Sequence, residues 1–101
     1  MKTIGLIGGL SWLATAEYYR LINEEIRHRL GGYHSASIIL KNLNLDLLVE
    51  LETTDQWHRA GVLLAHAGTA LERAGADCVL ICAIGPDDIY QTLFGKSYST
   101  I

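Results

Sequence analysis

Two cysteines are the residues of this chain best suited to chemistry, because a thiolate can act as a nucleophile or as a base. Cys78 and Cys82 lie within one apolar run that predicts a β-strand. Residues four apart in a strand are about 13 Å apart, at roughly 3.3 Å per residue. A disulfide requires Cα atoms within about 7 Å. Since neither a histidine nor another cysteine follows at zinc-ligand spacing, we expect two free thiols and no metal site.

A glycine-rich loop is the second candidate for chemistry. Gly8 and Gly9 end the first apolar run, and Leu10 and Ser11 follow them. The loop leads into a helix, whose first N–H groups can hold a carboxylate or a phosphate, and Ser11 and Thr15 add hydroxyl donors. Alternatively, Ser11 only caps the helix, Thr15 packs against the turn and the glycines only form the bend. The local pattern favours neither interpretation.

The loop does not match a dinucleotide-binding motif. Its glycines lack the G-x-G-x-x-G spacing, and the second predicted strand ends in Lys41 and Asn42 rather than in an acidic residue. We therefore exclude a nicotinamide cofactor.

Apolar strands and amphipathic helices alternate along the chain in the order β-α-β-α-β. Strands are predicted at about 2–7, 35–41 and 77–83, long helices at about 15–30 and 55–73, and a short helical turn at 45–52. This order predicts an α/β fold, namely a three-layer domain with a short parallel sheet in the strand order 2-1-3. The aromatic side chains of Trp12, Tyr18, Tyr19 and Trp57 are expected to anchor its core.

Ligands of open parallel sheets bind beyond the carboxyl ends of the strands. The glycine loop, the end of the second strand and Cys82 are all expected at that edge. Cys78 lies at the opposite end of the third strand and is expected to be buried and inert. Topology thus favours Cys82 as the reactive thiol, although a free cysteine is most often a small core residue.

Composition excludes several classes of protein. The 101 residues are 50% hydrophobic and 19% charged, which excludes a disordered chain. The net charge of −3 argues against a nucleic-acid partner. No apolar run approaches the roughly 18 residues of a transmembrane helix, and no secretory signal pattern is present. We expect a cytoplasmic protein with neither a membrane nor a nucleic-acid partner.

Four segments resemble the opening of the aspartate/glutamate racemase family: residues 1–12, 15–23, 30–36 and 75–77. The resemblance covers the chain from residue 1 to about residue 82. It implies an amino-acid racemase with no pyridoxal phosphate or other cofactor, built from two similar α/β halves with the active site in the cleft between them. In such an enzyme a cysteine thiolate from one half removes the α-proton, and a thiol from the other half reprotonates the opposite face.

The resemblance also implies roles for individual residues. Cys82 would be one catalytic base, acting on an acidic amino acid. Gly9, Leu10 and Ser11 match the loop that approaches the substrate. Asn42 matches a polar position at the end of the second strand.

Three features depart from the family pattern. Glu52 falls where relatives often carry glutamine, and its carboxylate would repel an acidic substrate. The family's cysteine opens a Cys-Thr-Asn-Thr run, whereas Cys82 is followed by residues 83–88, which lack those donors. We expect the second half, with its cysteine, to be missing from this chain. We therefore expect a racemase-like domain at 1–83, half of a two-domain fold, and an atypical tail at 84–101 with a truncated or frame-shifted ending.

Two functions follow from these observations. The leading prediction is a thiol-based racemase that is incomplete in this chain; in one version two copies form a homodimer in which each supplies Cys82 to a shared cleft. The alternative is a catalytically inactive fragment, or a small-anion binding domain that uses the glycine loop without chemistry. The missing Thr-Asn-Thr run favours the alternative. Thiol reactivity discriminates between them, because a catalytic Cys82 requires a depressed pKa and a core cysteine does not.

Overall fold

A computed structural model describes residues 1–82 and the backbone of residues 99–100, and the rest of the atypical tail predicted at 84–101 lies outside the described residues. The described residues form an α/β fold. Its elements are β1 (Thr3–Gly8), α1 (Trp12–Leu30), β2 (Ser37–Asn42), α2 (Leu45–Thr53), α3 (Trp57–Arg73), β3 (Cys78–Ile81) and β4 (Ser99–Thr100). No helix in the described part of the chain is long and apolar enough to cross a membrane.

The sheet is parallel and has the strand order β2-β1-β3-β4. The central strand β1 pairs with β2 along its whole length, from Thr3 opposite Ser37 to Gly8 opposite Asn42. The predicted order 2-1-3 is confirmed. The sequence pattern missed β4, because a strand of two residues is too short to show an alternation of apolar and polar side chains.

The core lies between the sheet and helices α2 and α3. The apolar stripe of α3, spaced alternately three and four residues apart, meets the face of β1 that carries Ile7. The core residues that pack together here are Ile7, Leu43, Leu48, Ala60, Leu64, Ala67, Leu71, Val79 and Ile81.

Helix α1 lies on the other face, and its buried residues lie near its beginning. Ala14 and Thr15 are its buried residues. Trp12 is 66% exposed and Tyr19 is 50% exposed, and Trp57 at the start of α3 is exposed too. The prediction that these three aromatic side chains anchor the core is therefore wrong. Periodicity identifies an apolar stripe on a helix, but where the helix approaches the sheet decides which part of that stripe is covered.

The packing of the α3 stripe predicts how much stability is lost when one of its residues is truncated. Leu64 is 1% exposed in the middle of the core, whereas Val62, two residues away, is 41% exposed. We expect Leu64→Ala to lower the free energy of unfolding by about 3 kcal/mol, because it removes buried methyl groups and leaves a cavity. The matched surface change Val62→Ala is expected to cost less than about 1 kcal/mol. Urea titrations followed by circular dichroism measure both, and equal losses would contradict this packing.

Candidate active site

Three of the predicted site residues lie at the carboxyl edge of the sheet. Gly8 at the end of β1 is directly opposite Asn42 at the end of β2. The N–H of Cys82 donates to the carbonyl of Ile7 at 2.9 Å, which extends the pairing of β3 by one residue. Neighbouring strands are about 4.8 Å apart. Asn42 and Cys82 therefore flank Gly8 on either side, with their backbones roughly 10 Å apart.

The backbone of the glycine loop is in direct contact with the loop that follows β2. The Leu43 N–H donates to the Gly8 carbonyl at 2.8 Å. Gly9 has a φ of +90°, and a Cβ on it would overlap the Leu43 carbonyl oxygen and lie 2.6 Å from the Leu43 nitrogen. The glycines therefore do more than form a bend, because they allow two backbone segments to touch at the edge where the site is predicted.

Ser11 caps helix α1. Its side-chain oxygen accepts a hydrogen bond from the Ala14 N–H at 3.4 Å, and its carbonyl accepts one from the Thr15 N–H at 2.9 Å. This is the arrangement that the capping interpretation predicts. Since a hydroxyl has one proton to donate as well as lone pairs to accept, the cap leaves the Ser11 proton available to a ligand.

Thr15, in the first turns of α1, forms hydrogen bonds with the glycine loop. It is 3% exposed, and its hydroxyl accepts from the Gly9 N–H at 3.0 Å and donates to the Ser11 carbonyl at 3.0 Å. The Gly9 N–H is thus committed within the protein. The sequence shows a threonine near the loop, but the hydrogen bond to a residue six positions earlier appears only once the helix has folded back over β1.

Cys82 is fully buried, and burial raises its pKa from an ordinary value near 9 to about 11. The group is therefore a neutral thiol near pH 7, and its pKa is not depressed as expected for a catalytic base but raised, as for a core cysteine. Cys78 is exposed, so the prediction that it is buried is wrong. The buried residues of α1, Ala14 and Thr15, lie near the carboxyl edge, whereas Cys78 begins β3 at the other edge of the sheet.

The raised pKa predicts a loss of stability at high pH. The folded chain holds the Cys82 proton more tightly than the unfolded chain does, so the stabilising contribution is complete below about pH 9 and is lost as the pH rises towards about 11. Its size is at most about 3 kcal/mol. We expect Cys82→Ala to remove this part of the pH dependence and Cys78→Ala to keep it. Urea midpoints between pH 8 and pH 11 test this, and identical curves for Cys82→Ala and the unaltered chain would contradict it.

A groove of about 290 Å³ opens beside Asn42, between α1 and the edge strand β2. It is lined by Trp12, Thr15, Ala16, Tyr19, Leu40 and Asn42. Cys82 does not line it. The structure thus brings Asn42 to an open groove but keeps the thiol closed off.

The two remaining predicted residues lie apart from this groove. The side chain of Leu10 is partly buried and packs against the core, so only its backbone is suited to meet a ligand. Glu52 is half-buried in the last turn of α2, eight residues after the Asn44 cap, which is about 12 Å along the helix. Residues 1–82 contain no group of three or more His, Cys, Asp or Glu side chains that could hold a metal ion.

The fold and sequence are similar to those of known racemases. A family model for Asp/Glu/Hydantoin racemases matches residues 7–96. A candidate Asp/Glu racemase from Yersinia pestis is 37% identical, with a TM-score of 0.84, over 97% of this chain and 44% of that chain. An aspartate racemase homologue from Pyrococcus horikoshii OT3 is 26% identical, with a TM-score of 0.82, over 100% of this chain and 44% of that chain.

The chain therefore spans less than half the length of these two structures. The family match, by contrast, covers most of this chain and includes the glycine loop from Gly8 onward, Asn42 and Cys82. The chain belongs to the Asp/Glu/Hydantoin racemase family.

Proposed function

We propose that this chain supplies one half of the active site of an amino-acid racemase that acts on aspartate or glutamate. Proton transfer at the α-carbon uses cysteine thiols and no pyridoxal phosphate. The observation that carries the proposal is the row of Asn42, Gly8 and Cys82 across the carboxyl edge of a racemase-family fold. That edge is where open parallel sheets bind their ligands.

Racemisation requires fixed donors for the substrate carboxylate, because charge develops on it when the α-proton leaves. The groups suited to this task are the backbone N–H groups of Leu10 and Ser11, the Ser11 hydroxyl and the Asn42 amide. Gly9 contributes by allowing a close backbone approach, since its N–H is held by Thr15. The half-buried carboxylate of Glu52 takes no part in this set, and an acidic substrate is expected to keep clear of it.

Cys82 is suited to the role of proton donor. With a pKa of about 11, it is a thiol in all but roughly one in ten thousand molecules at pH 7. A base on the opposite side of the substrate removes the α-proton, and the electron pair is delocalised into the carboxylate. The Cys82 S–H then protonates the other face and becomes a thiolate, which acts as the base for the reverse turnover. Access to Cys82 requires that its burial be relieved when substrate binds.

The opposite base must come from outside the described residues. In the homodimer version, a second copy supplies its own Cys82 to a shared cleft. This version predicts that activity falls on dilution together with the dimer fraction measured by analytical ultracentrifugation. An active monomer would contradict it.

The direct test is exchange of the α-proton. Purified chain is incubated with L-aspartate or L-glutamate in D₂O and observed by NMR. A chiral assay shows whether exchange is accompanied by inversion. We expect inversion to disappear in Cys82→Ser, because the donor to the second face is lost, and to persist in Cys78→Ser, the matched change at the exposed thiol. A folded chain without exchange, or inversion that survives in Cys82→Ser, overturns the proposal.

A second function has support from one observation. Cys82 is fully buried and does not line the groove beside Asn42. A catalytically inactive domain that binds a small anion at the glycine loop would show this arrangement. It predicts that L-aspartate shifts the amide NMR signals of Leu10 and Ser11 while no α-proton exchanges.

A further inference from the structure

The buried hydroxyl of Thr15 is placed to hold the glycine loop in one shape. Buried polar groups are normally satisfied, and this one is satisfied entirely by the loop. It accepts from the Gly9 N–H at 3.0 Å and donates to the Ser11 carbonyl at 3.0 Å. The two bonds join the beginning and the end of the three-residue segment from Gly9 to Ser11. One side chain therefore fixes both ends of the segment.

The methyl group of Thr15 packs against Gly8 and takes no part in these hydrogen bonds. A Cβ on Gly8 would overlap Thr15 Cγ2 and lie 2.9 Å from Thr15 Oγ1. Gly8 thus leaves the space that lets α1 approach β1, and the threonine methyl fills it. The hydroxyl acts on the loop and the methyl acts on the packing, so the two contributions can be separated by substitution.

Both the hydroxyl and the methyl group of Thr15 lie next to the row of predicted site residues formed by Asn42, Gly8 and Cys82. Thr15 lies over Gly8, which is flanked by Asn42 and by Cys82. Thr15 also lines the groove beside Asn42. A change in the loop therefore changes the distance from the Leu10 and Ser11 donors to the place where a substrate carboxylate would lie.

We infer that Thr15 is a positioning residue: its hydroxyl, by bonding Gly9 and Ser11, orients the backbone donors of the loop towards the substrate carboxylate. The inference about the substrate rests on the proposed function, whereas the inference about the loop does not. Because the Gly9 N–H is held by Thr15 and the Ala14 N–H is held by the Ser11 cap, the donors suited to meet the carboxylate are those of Leu10, Ser11 and the first two residues of α1, whose N–H groups have no partner within the helix.

The experiment compares variants that separate the hydroxyl from the methyl group. Thr15→Val keeps the shape and loses the hydroxyl, and Thr15→Ser keeps the hydroxyl and loses the methyl. Thr53→Val is the matched control, because the Thr53 hydroxyl also bonds a helix carbonyl, that of Glu50, but at the far end of α2. Two quantities are measured on the full chain: hydrogen exchange of the Gly9 amide by NMR, and α-proton exchange of L-aspartate in D₂O.

In Thr15→Val we expect the Gly9 amide to exchange roughly tenfold faster, since it loses its acceptor. We expect kcat/KM for α-proton exchange to fall by a similar factor or more. Thr15→Ser is expected to restore both to within about threefold of the unaltered chain, and Thr53→Val to leave both unchanged. Should Thr15→Val not fold, Thr15→Ala compared with Thr15→Ser isolates the same hydroxyl.

Unchanged Gly9 exchange in the variants without the hydroxyl would overturn the inference. Equal effects in Thr15→Ser and Thr15→Val would also overturn it, because they would assign the role to packing beside Gly8. If the unaltered chain exchanges no α-proton, the proposed function fails. The Gly9 exchange rates still decide the inference about the loop, because they do not depend on catalysis.

Discussion

Replacing Gly9 with alanine is expected to destabilise the chain by about 4 kcal/mol, a large part of the roughly 5–15 kcal/mol by which domains are usually stable. Two costs add. The φ of +90° is unfavourable for a residue with a Cβ, at about 1–2 kcal/mol. The added methyl would also overlap the backbone of Leu43, and separating two backbone segments that are hydrogen-bonded to each other costs about 1–3 kcal/mol more.

Gly32→Ala is the matched control for this prediction. Gly32 also has a positive φ, +59°, but a Cβ on it would meet no atom within 4 Å. We therefore expect this variant to lose only the conformational part, about 1 kcal/mol. Urea unfolding followed by circular dichroism gives both values. Similar losses for the two variants would mean that the contact between the two loops at the carboxyl edge contributes nothing to stability.

The two cysteines are expected to differ in alkylation rate by at least 10²-fold, with Cys78 the faster. Cys78 is exposed, whereas Cys82 is fully buried and has a pKa near 11. Because the thiolate is the reacting species, a rise of the pKa from about 9 to about 11 lowers the reactive fraction about 100-fold near neutral pH. Burial adds the free energy of opening the structure around the thiol.

The measurement uses variants that each retain one thiol. Cys82→Ala retains Cys78, and Cys78→Ala retains Cys82. Iodoacetamide modification at pH 7.5 is followed by mass spectrometry, with and without urea. We expect the two rates to converge once the chain is unfolded. Fast modification of Cys82 in the folded chain would show an accessible, activated thiol and would support a catalytic base rather than a proton donor.

Substrate provides a further comparison for Cys82. If L-aspartate relieves the burial of Cys82, its alkylation rate rises in the presence of substrate; if Cys82 is only a core residue, the rate stays the same. The same comparison on Cys78 is the control, since Cys78 lies at the opposite edge of the sheet. The result bears directly on whether a closed thiol in this structure takes part in proton transfer.

The order of elements and the family follow from the sequence alone, because both depend on local pattern. The alternation of apolar strands with amphipathic helices predicted a parallel sheet with the strand order 2-1-3, and the apolar residues of α3 that pack in the core follow the three-and-four spacing of a helix stripe. The glycine loop and the residues after it carried the resemblance to the racemases. Cys82 could be assigned to the carboxyl edge because that assignment needs only the direction of β3.

Burial and hydrogen bonding were decided only by the tertiary structure. Cys78 and Cys82 lie on the same strand run, four residues apart, yet one is exposed and the other is buried. Cys82 lies at the carboxyl edge, where Ala14 and Thr15 of α1 are buried, whereas Cys78 begins β3 at the other edge, and the residues next to the two cysteines in the sequence do not distinguish them. Trp12, the first residue of α1, is exposed, whereas Ala14 and Thr15 are buried.

The interpretation of the glycine loop also needed the folded chain. From the sequence, a helix cap at Ser11 and an anion site were equally supported. The structure shows that Ser11 caps α1 and that Thr15 takes the Gly9 N–H, because the close approach at Gly8 brings the helix onto the strand. A sequence determines which groups are available for hydrogen bonds, but only the path of the backbone decides which of them meet each other and which are left to meet a substrate.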